Sequence, residues 1–287
     1  MNWTERRERF RAILAGDRCV HPGSVFDPIS ARIAEDLGFE IGMYAGSVAS
    51  MAVLGAPDIV LLTLTEFADQ AYRICRAGNL ALLVDADHGY GNALNVRRTV
   101  EELETAGICA LTIEDTELPQ GYGTVGSTRL ISLDEGVAKV RAALDARQDP
   151  GLVIVGRTGA AQITNLADAI ERVTAYEKAG VDAVFLSGIK TLEQVQAISA
   201  AVRVPIMLGG SGSGPADRET LAKLGVRVSL QGHQSFMAAV RATYDTLKAL
   251  RDGTRPEDLT GLAAGSMMKT LTRDADYDRL MKAFLGG

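Results

Sequence analysis

LALLVDADHGYGN, residues 80–92, is an apolar run closed by two aspartates and a glycine-rich turn. A strand that is apolar at every position, rather than at alternate ones, suits a parallel sheet covered on both faces. LVIVGRT (152–158) has the same form. Related stretches recur near 19–26 within RCVHPGSVFD, then at FEIGMYAG (39–46), ICALTIED (108–115), DAVFLSG (182–188), VPIMLGG (204–210) and VRVSLQG (226–232), which makes eight candidate strands. Between them lie segments of 3.6-residue periodicity such as PISARIAEDLG (28–38), NVRRTVEELETAG (95–107) and LADAIERVTAYEKAG (166–180). Gly38, Gly78, Gly107, Gly180 and Gly225 fall where a helix C-cap needs a left-handed residue. One helix, a glycine and one apolar strand repeat about every 30 residues, the size of a βα step. The pattern predicts an α/β chain forming a single (β/α)₈ TIM-type barrel, ahead of a doubly wound open sheet. No Pro/Ser-rich linker or shift in composition divides residues 1–287, so one domain is expected, with an N-terminal helix over 1–16 and a C-terminal helical extension over 253–287.

Composition narrows the function. The 287 residues carry 30 Lys+Arg against 36 Asp+Glu, a net charge of -6, and 47% are hydrophobic, which excludes disordered, collagenous and coiled-coil classes. An acidic chain without a basic patch is a poor match for nucleic acid or an anionic membrane and points to a small-molecule partner. Cys19, Cys75 and Cys109 are widely spaced and read as buried thiols of a reducing compartment. MNWTERRERFRAILAG lacks the apolar core of a signal peptide, and no apolar run approaches the roughly 18 residues of a membrane span, so the expected location is the cytoplasm.

A barrel of this kind places its active site where strands end and βα loops begin. The polar residues there are Asp27, Ser47, Asp85, Asp87, Glu114, Asp115, Arg157, Ser187 and, after the eighth strand, His233. Strand alternation aims Asp85 and Asp87 to the same side, and Glu114 ends the next strand roughly 5 Å away. Converging acids repel unless a cation neutralises them or their pKa values rise. A hard divalent ion meets that need, Mg²⁺ first and Mn²⁺ as the alternative; the competing reading is that D-x-D caps a helix and solvates a loop. Asp58, in APD, is placed to join through water. Arg157 is either a bidentate partner for a substrate carboxylate or the ion-pair partner of Glu114 or Asp115. His233 is either a donor to a polarised carbonyl or a helix-start residue bonding the backbone. Ser47, after Gly46, lies in a small-residue turn whose N–H groups suit an oxyanion or carboxylate. His88 is expected to point away from the paired acids, and His21 to pack in the core. Gly121, Gly123 and Gly126 satisfy G-x-G-x-x-G but sit too far past a strand end, so the stretch reads as a mobile lid. GGSGSG (209–214) is similar to a phosphate cradle.

SVFDPISARIAEDLGFE, GSVAS, APD, DADHGYGN, TIED, GRT and QGH, in this order over roughly residues 10 to 250, resemble the isocitrate lyase/phosphoenolpyruvate mutase superfamily and, within it, the oxaloacetate decarboxylase branch. The resemblance implies an α/β barrel whose final helix is exchanged between subunits, usually of a homotetramer. It implies Mg²⁺ on Asp85, with Asp87, Glu114 and Asp58 assisting largely through water, and a 2-oxo acid on Ser47, Arg157 and His233. The K-[KR]-C-G-H lid of the superfamily's lyases is absent, since the lid here reads LPQGYGTVGST (118–128); the mutase lid with its Lys, Asn and Ser is absent too. The implied reaction is Mg²⁺-dependent decarboxylation of oxaloacetate, a 2-oxo dicarboxylic acid, to pyruvate and CO₂ through a metal-stabilised enolate. Its rivals are a metal-dependent C–C lyase on a 2-alkylmalate or related 2-hydroxy acid, an enzyme for a phosphorylated substrate held at GGSGSG, and a metabolite sensor without turnover.

Overall fold

The structure is a computed structural model that describes residues 2–210 and 216–286. Eight strands, β1 (Gly23–Ser24), β2 (Ile41–Tyr44), β3 (Ala81–Asp85), β4 (Ala110–Glu114), β5 (Val153–Thr158), β6 (Ala183–Leu186), β7 (Ile206–Leu208) and β8 (Val226–Ser229), form one sheet in chain order. Every neighbouring pair is parallel. A parallel bridge from Val20 to Val228 joins the first and last strands: the Val20 amide donates to the Arg227 carbonyl at 2.9 Å and the Ser229 amide to the Val20 carbonyl at 3.0 Å. The sheet is the expected α/β barrel. β2 and β4 bury every residue, which is why they read as uninterrupted apolar runs.

The helices are α1 (Trp3–Ala15), α2 (Pro28–Asp36), α3 (Gly46–Ala49), α4 (Leu64–Cys75), α5 (Ala93–Thr105), α6 (Leu133–Ala146), α7 (Ala160–Ile163), α8 (Leu166–Ala179), α9 (Leu192–Ala201), α10 (Arg218–Lys223), α11 (Gln234–Arg251), α12 (Gly265–Thr272) and α13 (Asp274–Leu285). Reciprocal capping boxes start four of them, Asp27 with Ser30, Thr63 with Glu66, Asn92 with Asn95 and Thr191 with Gln194. Gly38, Gly107, Gly180 and Gly225 take the expected left-handed φ, but Gly78 does not. What Gly78 permits is close approach: a Cβ there would collide with the Glu35 carboxylate, which accepts the Asn79 amide at 3.0 Å.

The base of the barrel is tied by arginines of α1. Arg7 donates to the carbonyls of Ile108 (2.9 Å) and Glu104 (2.6 Å) and pairs with Asp149 at 2.7 Å; Arg11 donates to the carbonyls of Gly151 and Leu152 and pairs with Asp182 at 2.9 Å. Guanidinium forks suit this work because each satisfies several carbonyls at once. Cys19, Cys75 and Cys109 are buried free thiols. Among the described residues no helix is long and apolar enough to cross a membrane.

The chain divides into two compact units, one ending at His233 and the other beginning at Gln234. The second contains α11, a 3-10 turn at Pro256–Asp258, α12 and α13. Met237, Val240, Tyr244 and Leu247 repeat along α11 at helical spacing and all are exposed.

Candidate active site

The ends of strands β1 to β6 with the loops after them, and the segment after β8, supply the polar residues that the sequence singles out. Arg157, the register neighbour of Glu114 across β4 and β5, pairs with Glu114 at 3.1 Å and with Asp85. Its guanidinium lies 5.4 Å from the Phe185 ring centroid, and its Nε is buried without a partner. Of the ion pairs expected for Arg157, the one with Glu114 forms and the one with Asp115 does not. Asp115 faces the helix layer, where it accepts from Tyr176 (2.7 Å) and Arg172 (3.0 Å).

Asp85 Oδ1 accepts from Thr112 Oγ1 at 2.9 Å and from the Asp87 amide at 3.2 Å. Strand alternation does not carry Asp87, because β3 ends at Asp85 and Asp87 has a φ of 48°. The left-handed turn, not the pleat, aims its carboxylate. It packs on Gly46, where a Cβ would stand 2.7 Å from Asp87 Oδ1, so the Ser47 turn begins against this acid. Ser47 itself is half-buried in α3. Asp58 lies at the exposed rim, close enough to Asp85, Arg157 and His233 to feel their charges.

The electrostatics follow from crowding. Burial, then the charges of Asp85, Glu114 and Asp58, push the Asp87 pKa well up. Glu114 is raised by burial, with Arg157 opposing and Asp85 adding to the rise. Asp58 is raised by desolvation and by Asp85. Tyr90 is raised by burial first and then by the Asp87 and Asp85 charges. Four carboxylates therefore share one site with the Arg157 cation. Among the described residues no three His, Cys, Asp or Glu stand so as to hold a metal ion by themselves. Mg²⁺ asks for less, one or two carboxylates with water and substrate oxygens completing its shell. The excess of hard oxygen donors over cationic groups fits such an ion.

His233 is half-buried with Nδ1 2.9 Å from Ser24 Oγ, which leaves Nε2 for a ligand. This contact spans 209 residues. Ser24 is not among the strand-end residues that the sequence singles out. His21 is half-buried rather than in the core, its Nδ1 2.7 Å from the Ser229 carbonyl. His88 is buried, and Nδ1 has no partner. Burial and Lys139 bring its pKa down to about 4.

After β4 the chain forms a strap closed at its base by an antiparallel bridge between Thr116 and Leu130 and by the Glu117 amide donating to the Arg129 carbonyl at 2.9 Å. No helix follows Gly126, so the G-x-G-x-x-G stretch is not a helix-mounted phosphate loop. Tyr122 and Val125 project from the strap into solvent. GGSGSG lies mostly outside the described residues, from 211 to 214.

The model of a family described as phosphoenolpyruvate phosphomutase matches residues 10–251, which hold every strand and every strand-end residue named above. The chain belongs to this family. It is a member of the phosphoenolpyruvate mutase/isocitrate lyase superfamily, as the sequence motifs imply. A protein of Rhodopseudomonas palustris (strain BisB18) named oxaloacetate decarboxylase is 58% identical over 286 residues, covering 100% of this chain and 99% of its own. One of the same name from Bradyrhizobium sp. (strain ORS 278) is 57% identical over 286 residues, with coverage of 100% and 99%. Among solved structures, phosphonopyruvate hydrolase in complex with oxalate and Mg²⁺ matches with a TM-score of 0.86 and 27% identity, covering 98% of this chain and 99% of that one. 2,3-Dimethylmalate lyase matches at 0.84 and 26%, over 97% and 98%.

Proposed function

We propose that this family member is an Mg²⁺-dependent carboxy-lyase that converts oxaloacetate to pyruvate and CO₂. The observation that carries the reading is the full-length likeness, at 58% identity, to proteins named oxaloacetate decarboxylase. The strap after β4 supports it, since residues 118–128 offer no Cys, Lys or His to act as the acid or base that cleavage of a 2-alkylmalate requires.

Asp85 is the residue that would hold Mg²⁺ directly, with Asp87, Glu114 and Asp58 reaching it largely through water; Mn²⁺ is the alternative ion. Bound there, the ion supplies Lewis-acid polarisation of the substrate C2 carbonyl, the electron sink that decarboxylation needs. Arg157 binds the C1 carboxylate through its guanidinium fork. His233, with Nδ1 engaged by Ser24, donates from Nε2 to the 2-oxo acid. Desolvation lowers its pKa against the pull of Asp85 and Asp58, which favours the neutral ring. Ser47 and its turn fix the substrate opposite Asp87. As CO₂ departs, the charge developing on the enolate oxygen falls between Arg157 and His233, and solvent supplies the proton that completes pyruvate. No protein base is needed, because the step breaks a C–C bond by loss of CO₂ rather than by removal of a proton. Incubation with ¹³C-labelled oxaloacetate and Mg²⁺, followed by NMR against a heat-inactivated control, is expected to give pyruvate and CO₂ well above the spontaneous rate. Oxalate and acetate as products, or no turnover, would overturn the assignment.

The three buried free thiols and the absence of a long apolar helix among the described residues support a cytoplasmic location. The acidic balance supports a small anionic substrate delivered with its cation, and no nucleic-acid or membrane partner. The apolar stripe Met237, Val240, Tyr244 and Leu247 supports a homo-oligomer, a tetramer, in which α11 docks on a second copy and completes its barrel. Val240→Asp with Leu247→Asp is expected to convert the assembly to monomers in sedimentation velocity at micromolar concentration, whereas an unchanged tetramer refutes the docking.

A further inference from the structure

The turn that carries Asp87 is built against backbone preference. Asp87 (φ 48°) and Tyr90 (φ 60°) are left-handed without being glycine, and Gly89 (φ 78°) and Gly91 (φ 146°) flank Tyr90. Side chains with a Cβ avoid this region, so such a turn persists only when its surroundings hold it. Its carbonyls are held one by one. The Ala86 carbonyl accepts the Gly89 amide at 2.9 Å, and the Asp87 carbonyl accepts the Glu114 amide at 2.8 Å. The next two are held by side chains: Lys139 Nζ donates to the His88 carbonyl at 3.0 Å, and Thr99 Oγ1 to the Gly89 carbonyl at 3.0 Å.

Lys139 is an unusual choice for this bond. It is 4% exposed in α6, far below what lysine normally tolerates, and it forms no ion pair among the described residues. A buried ammonium spent on one backbone carbonyl is costly unless that carbonyl has to be held in place. The carbonyl belongs to the residue that follows Asp87. The His88 ring, itself buried, makes no compensating bond through Nδ1. Thr99 is fully buried in α5, the helix that the turn leads into, and its single hydroxyl proton is shared between the Gly89 carbonyl and that of Asn95 at 3.1 Å.

We propose that Lys139, together with Thr99, is a positioning residue that fixes the left-handed turn and thereby presets the Asp87 carboxylate for the divalent cation. The inference rests on the metal-site reading above and deepens it. Neither side chain touches the substrate; both act through the backbone on either side of Gly89. A lysine present only to fill space between α6 and the turn would be replaceable by methionine at no cost to cation binding. A lysine that orients Asp87 would not be, because outer-shell partners typically set 10–100-fold of metal affinity.

The test is titration of the substrate-free protein with Mn²⁺, counting free ion by electron paramagnetic resonance, for the wild type, Lys139→Met, Lys139→Arg and Thr99→Val. The expected result is a dissociation constant raised about 10–100-fold in Lys139→Met, in part restored in Lys139→Arg, and raised by a smaller factor in Thr99→Val. In steady state the Lys139→Met loss should shrink as Mg²⁺ is raised to saturation, so that the apparent activation constant moves far more than kcat. Lys139→Met and Thr99→Val binding Mn²⁺ as tightly as the wild type would overturn the proposal. If Lys139→Met does not fold, Thr99→Val decides, since it removes the neighbouring bond from a residue of nearly the same shape. A wild type that binds no Mn²⁺ would instead sink the metal-site reading, and the two failures are thus distinct.

Discussion

Replacing Arg157 by alanine is expected to lower kcat/KM for oxaloacetate by about 10³-fold, which corresponds to about 4 kcal/mol of transition-state stabilisation. The size follows from what the guanidinium does in two states. Without substrate it neutralises Asp85 and Glu114 in a mostly buried site, and its removal leaves those carboxylates facing each other without their cation. In the role proposed for it with substrate, it binds the C1 carboxylate and faces the charge that develops at C2, where loss of one well-placed donor typically costs 10²–10³ in rate. Lysine at this position restores charge but not the planar fork that meets two acids at once, so Arg157→Lys should recover only part of the loss. Pyruvate formation coupled to lactate dehydrogenase measures both variants, and an Arg157→Ala protein of unchanged kcat/KM refutes the assigned role.

The strands were legible because parallel strands buried on both faces cannot hide: β2, β3, β4 and β5 are apolar along nearly their whole length, and β3, β4 and β5 carry Asp85, Glu114 and Arg157 at or next to their ends. β1 was harder. Only Gly23–Ser24 pair as a strand, and the link that joins the ring rests on Val20, a residue outside it. Site residues could be named from their positions at strand ends, but their partners could not. Ser24 meets His233 across 209 residues and Lys139 meets the His88 carbonyl across 51, and no local pattern encodes such pairs. Asp87 shows the limit most clearly. The spacing D-x-D implies strand alternation, but a left-handed turn bonded to α5 and α6 takes its place and sets where Asp87 lies. The division at Gln234 left no trace in composition because α11 has the stripe of any barrel helix; what distinguishes it is that the stripe stays exposed.

Asp85→Asn separates charge from shape at the centre of the site. Asparagine keeps the shape but only one acceptor oxygen: with that oxygen on Thr112 Oγ1 and the Asp87 amide, its amide nitrogen faces Arg157, whose guanidinium retains Glu114. What disappears is one negative charge among four. Activity is expected to fall at least 10³-fold, because the residue assigned to hold Mg²⁺ is neutral, and the gain in thermal stability that Mg²⁺ gives the wild type should vanish. The pH dependence of the metal-free protein supplies an independent check. Asp87, Glu114 and Asp58 all have folded-state pKa values raised by burial and by the Asp85 charge. A carboxyl whose pKa is higher folded than unfolded favours the folded state below its unfolded pKa and loses that contribution as pH rises through its folded one. The EDTA-treated wild type should therefore become less stable as pH climbs from the ordinary carboxylate range towards neutrality, and Mg²⁺ should offset the loss. In Asp85→Asn the like-charge part of each shift is gone, so the metal-free variant should show a shallower decline and match or exceed the metal-free wild type at pH 8. Thermal melts at pH 5.5 and pH 8, with EDTA and with Mg²⁺, read all of these differences. A variant that loses activity yet keeps the wild-type response to Mg²⁺ would show that the cation rests on the other three carboxylates, and Asp85 would then serve as the counter-charge of Arg157 alone.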